Sequence, residues 1–162
     1  MWYYRNDVKQ SIHRFKFYRG RSYAHGYGRL LGMQILKDFP DGFDVVTWVP
    51  IGFFRKLRRG YDQSKLLAIA VAEELGYEAT PLLKKIRNTP PQSGIPDAAK
   101  RRANVLGAYD TVNKDLLAGK RILLLDDVIT TGATCSECAR VLMTAGAKEI
   151  SCAAVAAVMH DK

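Results

Sequence analysis

Two adjacent carboxylates at the end of an apolar run are the residues most able to do chemistry in this sequence. Residues 121 to 142 read RILLLDDVITTGATCSECARVL, in which Asp126 and Asp127 directly follow a predicted buried strand over residues 121 to 125. In open α/β sheets, ligands bind at the carboxyl ends of the strands. Carboxylates accept hydrogen bonds from sugar hydroxyls and assist divalent cations. The pair therefore predicts a sugar or cation site at this edge of a sheet.

A loop of small and hydroxyl residues follows the pair: Thr130, Thr131, Gly132, Ala133 and Thr134. It leads into a predicted helix, whose unpaired N–H groups and dipole favour an anion. The glycine would let the backbone approach a bound phosphate closely, and the threonines add hydroxyl donors. A phosphate site one ribose away from a carboxylate pair suits a ribose 5-phosphate. The alternative is a pair of capping aspartates at an ordinary strand-to-helix turn.

Hydrophobic periodicity predicts the elements that hold these residues. Predicted helices cover residues 5–18, 22–38, 61–77 and 132–145, and predicted strands cover residues 44–50, 121–125 and 149–159. Residues 79–117 read as a loop with short strands or a helical turn. Strands that alternate with helices predict an α/β fold, with a mostly parallel twisted sheet flanked by helices, in a single domain over residues 1–162.

Composition restricts the class of protein. The chain has 162 residues and a formal net charge of +9, which favours polyanionic partners such as phosphorylated small molecules or nucleic acid. No apolar run approaches the roughly 18 to 20 residues of a membrane helix. The N-terminus lacks the apolar segment of a secretory signal, and three cysteines are an odd number for a disulfide scaffold. We therefore expect a cytoplasmic protein.

Cys135 and Cys138 form a C-x-x-C spacing, which zinc sites also use. A zinc site needs three or four ligands, and the sequence has no second pair. Together with Ala139 and Leu142, the two cysteines follow the stripe of one helix face. We therefore predict that they pack in the core.

The segment LLLDDVITTGAT resembles the binding motif for 5-phosphoribosyl 1-pyrophosphate (PRPP) in type I phosphoribosyltransferases. The resemblance implies the fold of that family. It also implies that Asp126 and Asp127 hold the ribose 2- and 3-hydroxyls and that residues 130–134 cradle the 5-phosphate. Purine-salvage members carry an aspartate where Thr130 stands, and threonine is a poor general base near neutral pH. This difference argues against a hypoxanthine-guanine enzyme and leaves amine, pyrimidine-like and unknown acceptors open.

Three other segments resemble ComF-like proteins of the same family, so that the likeness extends over about residues 3–158. The segments read YYRNDVKQSIHRFKFYRG, VPIGFFRKLRRGYDQSKLLA and IRNTPPQSGIPDAAKRRANVLGAY. ComF-like proteins are associated with DNA uptake in competent bacteria. Members commonly begin with a cysteine-rich zinc-binding segment, and we expect this chain to be a member without it.

The resemblance also assigns the remaining site residues. The loop after TWVP would hold the pyrophosphate through the backbone of Pro50 and Ile51 and the side chains of Arg58 and Arg59. Whether Arg55 and Lys56 belong to the site or to the plain surface is left open. The flexible loop that covers the substrate would carry Arg87, Gln92, Arg101, Arg102 and Asn104. Mg²⁺ is the expected cofactor, bound through the substrate rather than by a side-chain cluster, and no residue is assigned as the catalytic acid or base.

Two functions remain open at this stage. The first is a phosphoribosyltransferase that uses PRPP and Mg²⁺. The second is a competence-related protein that binds single-stranded DNA, with the PRPP pocket kept as a sensor or as a site for a nucleotide end. We expect PRPP or a nucleoside 5-phosphate as ligand and no membrane. Single-stranded DNA, competence proteins and a second copy in a dimer are partners left open.

Overall fold

The computed structural model describes residues 2–3, 6–17, 20–90, 94–95 and 97–158. Its helices are α1 (Asn6–Phe17), α2 (Gly20–Asp38), α3 (Phe53–Arg59), α4 (Gln63–Leu75), α5 (Ala98–Val105) and α6 (Ala133–Thr144). Its strands are β1 (Trp2–Tyr3), β2 (Val45–Trp48), β3 (Leu83–Lys85), β4 (Tyr109–Thr111), β5 (Arg121–Ile129) and β6 (Glu149–Ala157). A short 3-10 helix covers Lys114–Leu116.

Four strands form a parallel sheet in the order β1-β6-β5-β2. Val46 of β2 pairs with Leu123 of β5, and Asp126 of β5 pairs with Ala154 of β6. Strands β3 and β4 form a separate antiparallel pair, and the segment between them contains α5. The prediction of an α/β fold with a mostly parallel sheet flanked by helices is confirmed.

Both faces of the sheet bury apolar side chains, because successive residues of a strand point to opposite faces. Leu123 and Leu125 of β5 pack with α1, α2 and α4 in one core. Ile122 and Leu124 pack with α6, β3 and β4 in the other. Helices therefore cover the two faces, and the neighbouring parallel strands β2 and β5 end at the same edge of the sheet.

Helix α4 begins and ends at residues suited to those positions. Asp62 is its N-cap, and the carboxylate accepts a hydrogen bond from the Lys65 N–H at 3.1 Å. Gly76, with φ of 75°, ends the helix in the left-handed conformation that glycine adopts without strain. The start of this helix places Gln63 and Ser64 within hydrogen-bond distance of the two aspartates of β5.

The structure differs from the sequence prediction in several elements. Strand β5 continues through the aspartates to Ile129 rather than ending at residue 125, because its ladder with β6 extends to Ala157. The basic stretch after TWVP, predicted as a loop, is helix α3, whose seven residues lie between Gly52 and Gly60. Helix α2 begins at Gly20, two residues before the predicted start at residue 22.

Candidate ligand-binding site

A cavity of about 430 Å³ lies where β2 and β5 end. It brings together the residues that the sequence assigned to the ligand: Pro50, Ile51, Arg58, Arg59, Asp126, Asp127, Thr130, Thr131, Gly132, Ala133 and Thr134. They come from β5, from the loop before α6 and the first residues of α6, from the loop after β2 and from α3. The cavity therefore has a carboxylate side, a loop of small residues and a basic side.

Asp126 is fixed by two hydrogen bonds to one of its oxygens. Its Oδ1 accepts from the Ser64 hydroxyl at 3.1 Å and from the Asp127 N–H at 2.8 Å. Burial, followed by the neighbouring charge of Asp127, raises the pKa of Asp126 to about 7. The protonated form is therefore more favoured than in an ordinary aspartate, and a protonated carboxyl group can donate as well as accept a hydrogen bond.

Asp127 is buried, and side chains of α1 and α4 hold its carboxylate. Its Oδ2 lies 3.0 Å from the Lys16 ammonium of α1 and accepts a second hydrogen bond from the Gln63 Nε2 at 3.0 Å. The exposed fraction of Asp127 is 6 %, and that of Gln63 is 4 %. Two donors on one oxygen hold the carboxylate in place at the edge of the cavity.

The loop between β5 and α6 turns at a glycine in the left-handed conformation. Gly132, with φ of 74°, precedes the first residue of α6, and its carbonyl accepts from the Ser136 N–H at 2.8 Å. A side chain at this φ would be strained. The Thr131 hydroxyl oxygen is buried and has no hydrogen-bond partner within the described residues. A buried hydroxyl without a partner is costly, so it suits a ligand that completes the bonding.

Helix α3 supplies the basic side of the cavity. The guanidinium of Arg59 lies 5.0 Å from the centroid of the Phe17 ring, and that of Arg58 lies 6.0 Å from it. Burial lowers the pKa of Arg59, and its Nε is buried without a partner in the part of the chain that the structure describes. The sequence analysis assigned the backbone of Ile51 to the pyrophosphate. In the structure, the Ile51 N–H donates a hydrogen bond to Asp62 at 3.2 Å.

Several lining residues were not assigned from the sequence, because they come from elements far away along the chain. His13, Lys16 and Phe17 belong to α1, and Gln63 begins α4. Lys16 and Gln63 both lie inside segments quoted above for the family resemblance, but that resemblance gave them no role. They meet Asp127 only in the folded chain, so the sequence alone does not show that they line the cavity.

Strands β3 and β4 add a cation that the sequence did not single out. Lys85 lines the cavity and donates a hydrogen bond from its ammonium to the Tyr109 hydroxyl at 3.2 Å. Burial, with a smaller effect of the Arg55 charge, lowers the pKa of Lys85 to about 8. Arg55, which the sequence left open between site and surface, lines this cavity and donates to the Thr89 carbonyl at 2.6 Å.

The residues predicted for a flexible loop do not line the cavity where they are described. Arg87 donates to the carbonyls of Asn104 and Leu106, at 3.1 and 2.7 Å. Arg101 donates to the Ile95 carbonyl at 2.6 Å. These bonds hold the segment between β3 and β4 together. Arg102 is exposed on α5, and Gln92 lies outside the described residues.

The cysteine prediction agrees with the packing of α6. Cys138 is fully buried, Cys135 is 6 % exposed, and Leu142 is fully buried in the same core. Both cysteines are free thiols. Across the described ranges, no group of three or more His, Cys, Asp or Glu side chains could hold a metal ion.

Within the described residues, none of the helices has both the length and the apolar character needed to cross a membrane.

Comparison with known proteins gives a consistent family. The family model described as "Phosphoribosyl transferase domain" matches residues 58–162. Competence protein F of Haemophilus influenzae is 36% identical over 109 residues, which are 66% of this chain and 47% of that protein. The DNA utilization protein YhgH of Salmonella typhimurium is 30% identical over 147 residues, which are 86% of this chain and 62% of that protein. The chain thus spans about half to three fifths of these relatives.

Solved structures support the same fold. An allosteric regulatory enzyme of purine biosynthesis matches 81% of this chain with a TM-score of 0.53 and 27% identity. The glutamine PRPP amidotransferase of B. subtilis, in complex with ADP and GMP, matches 79% with a TM-score of 0.52 and 29% identity. Each match covers 26% of the other chain, so the likeness concerns one part of a larger enzyme.

Proposed function

Since this chain belongs to the ComF-like group of the type I phosphoribosyltransferase family, we propose that it binds PRPP together with Mg²⁺ and transfers the phosphoribosyl group to an acceptor. The observation that carries the proposal is one cavity that joins a carboxylate pair, a loop of small residues and a basic side. PRPP has a sugar diol, a 5-phosphate and a pyrophosphate, which would bind the carboxylate pair, the loop and the basic side, respectively. A sensor that binds PRPP without transfer would use the same contacts.

The carboxylates and the loop would bind the phosphorylated sugar. Asp126 and Asp127 would accept hydrogen bonds from the ribose hydroxyls. Residues 130–134 would bind the 5-phosphate through backbone N–H groups and hydroxyls, and this would give the buried Thr131 oxygen a partner. Gly132 is required because its positive φ shapes the turn.

The basic side would act on the leaving group. As the bond between C1 and pyrophosphate breaks, negative charge grows on the pyrophosphate, so nearby cations stabilise the transition state more than the bound substrate. Arg59, which is partly buried, and Arg58, which is exposed, would have this role, and Lys85 adds a further cation to the cavity.

Mg²⁺ fits this site as a partner of the substrate. Asp126 and Asp127 are the carboxylates among the described lining residues, and Asp127 already pairs with Lys16. This donor set is too small for a resident ion, so oxygens of PRPP would supply most ligands and the aspartates would assist. The ion would neutralise part of the pyrophosphate charge.

The acceptor is narrowed by the bases that the site offers. Thr130 stands at the position where purine-salvage relatives have an acid, and the described lining adds no carboxylate beyond the aspartate pair. An acceptor that attacks through the lone pair of an uncharged amine needs such a base least. Amines therefore come first in a panel of acceptors.

The test is pyrophosphate release. The protein is incubated with PRPP, Mg²⁺ and amine, pyrimidine-like and purine acceptors, and pyrophosphate is measured. Acceptor-dependent release that the Asp126→Asn/Asp127→Asn variant abolishes supports transfer. PRPP binding without release reduces the proposal to the sensor. Absence of PRPP binding by the wild-type protein refutes both forms.

A second candidate function rests on the surface of α3. Phe53, Phe54 and Leu57 are 69, 66 and 70 % exposed, and the two phenylalanine rings lie 5.8 Å apart. Arginine and lysine residues alternate with them along the helix. Exposed aromatic rings among cations are the usual means of binding single-stranded nucleic acid. The relatives named for competence and DNA utilization favour this class of partner.

The DNA function has its own test. Affinity for a single-stranded oligonucleotide is measured against salt for the wild-type protein and for Phe53→Ala/Phe54→Ala. Loss of stacking should cost about 1 to 3 kcal/mol per base contact, with the slope against log salt unchanged. Equal affinity of the two proteins would remove α3 as the DNA surface.

A further inference from the structure

Helix α1 reaches the carboxylate pair through one side chain, although it lies outside the residues that the family model matches. The Lys16 ammonium lies 3.0 Å from Oδ2 of Asp127, and the exposed fraction of its side chain is 23%. The matched segment begins at residue 58. Lys16 is therefore a residue of the cavity that family membership does not assign.

Gln63, at the start of α4, contacts the same oxygen of Asp127. Its Nε2 donates to Oδ2 of Asp127 at 3.0 Å. The amide must take this orientation, because an ionised carboxylate only accepts hydrogen bonds. Its Oε1 is consequently left buried and without a partner within the described part of the chain. An unpaired buried carbonyl oxygen is destabilising, so the contact with Asp127 is obtained at a cost to the fold.

Both donors act on one oxygen of Asp127 and leave the other for a ligand. The Lys16 charge also offsets the charge of Asp127, which would otherwise repel the adjacent carboxylate of Asp126. We propose that Lys16 and Gln63 are positioning residues, which hold Asp127 so that its Oδ1 accepts a hydrogen bond from the ribose 2-hydroxyl. The pocket then selects ribose over 2-deoxyribose. This inference rests on the proposed function.

The choice of the 2-hydroxyl follows from the position of the pyrophosphate side. Asp127 is bonded to Gln63, four residues after Arg59, and the Asp127 charge acts on the Arg59 guanidinium. The pyrophosphate of PRPP is attached to C1, next to C2. Lys16, which contacts Asp127, is followed by Phe17, whose ring lies 5.0 Å from the Arg59 guanidinium of α3. Asp127 would therefore face the 2-hydroxyl, and Asp126 would face the 3-hydroxyl.

The test compares two ligands that differ only in that hydroxyl. Ribose 5-phosphate and 2-deoxyribose 5-phosphate are titrated calorimetrically, in EDTA, into the wild-type protein, Lys16→Met and Gln63→Leu. The wild type should prefer ribose 5-phosphate by about 10-fold or more, as for one hydrogen bond to a charged group. Both variants should reduce that preference to less than about 3-fold, because they act through the contact of Asp127 with the 2-hydroxyl, which only ribose 5-phosphate carries. Lys16→Arg, which keeps a cation, should restore most of the preference.

Matched controls change the same side-chain types at exposed positions. Lys9→Met changes an exposed lysine of α1, and Gln34→Leu changes an exposed glutamine that bonds Asp38 at 2.8 Å. Neither should alter the preference. Because the deoxy ligand reports folding and phosphate binding, equal losses for both ligands would indicate a purely structural role and overturn the inference.

The remaining outcomes separate this inference from the proposed function. A wild-type protein that binds both sugar phosphates equally keeps the phosphate site and refutes the reading of the 2-hydroxyl. Variants that retain the wild-type preference refute the roles of Lys16 and Gln63 alone. Failure of the wild type to bind either sugar phosphate refutes the proposed function and this inference together.

Discussion

Replacing Arg59 with alanine should weaken PRPP binding far more than ribose 5-phosphate binding. Arg59 lies at the basic side of the cavity, partly buried, with its Nε lacking a partner in the described residues. A hydrogen bond between charged groups in such a position is worth about 2 to 3 kcal/mol. The expected loss is therefore about 30- to 150-fold for PRPP. Ribose 5-phosphate lacks the pyrophosphate, so its affinity should change by less than about 3-fold.

The same helix supplies a graded control. Arg58 lines the cavity but is exposed, so Arg58→Ala should cost PRPP only about 2- to 5-fold, as is usual for solvated charges. Lys56 is exposed and does not line the cavity, so Lys56→Ala should leave both ligands unchanged. The assay is calorimetric titration of each ligand, with thermal unfolding to detect loss of the contact between Arg59 and Phe17. Equal losses for PRPP and ribose 5-phosphate in Arg59→Ala would refute the assignment of α3 to the pyrophosphate.

Three other changes test the electrostatics and packing around the cavity. The pKa of Asp126 is about 7 in the folded state against 3.8 in the unfolded state, so the folded state keeps a proton that the unfolded state releases, and stability falls as pH rises between these values. Asp126→Asn should remove this fall and raise the free energy of unfolding at pH 8 by about 1 to 3 kcal/mol. An unchanged pH dependence of stability in denaturant titrations would contradict this expectation. Lys85 loses its charge as pH rises through about 8, so PRPP affinity should fall between pH 7 and 9, and a Lys85→Gln variant should show a flat profile; a wild-type profile equally flat would exclude Lys85 from the anion site. Cys138→Ser buries a hydroxyl in an apolar core and should cost about 1 to 3 kcal/mol of stability with PRPP affinity retained, whereas stoichiometric zinc lost in this variant would overturn the packing assignment.

The sequence was most informative where function depends on neighbours along the chain. The apolar run, the aspartate pair and the TTGAT turn follow one another along the chain, and the structure places the aspartate pair and the turn at one cavity. The alternating elements also predicted the parallel sheet, since strand and helix periods differ clearly. The roles of these residues toward PRPP remain predictions.

What the sequence missed depends on pairing and long-range contact. The continuation of β5 through Asp127 to Ile129 is set by its ladder with β6, whose small alanines accept the neighbouring strand. Helix α3 was hidden because its apolar residues point to solvent and give no buried stripe. The Lys16 contact joins α1 to β5 across most of the chain, and no local pattern encodes such a pairing.

Equilibrium titration of PRPP into the wild-type protein and into Asp126→Asn/Asp127→Asn tests the central claim most directly. Both substitutions keep the volume of the side chain, so the fold should persist. Thermal unfolding of the double variant checks this. The carboxylates are proposed to accept the ribose hydroxyls, so the double variant should bind PRPP at least about 100-fold more weakly. Equal PRPP affinity in a folded double variant would contradict the proposed site.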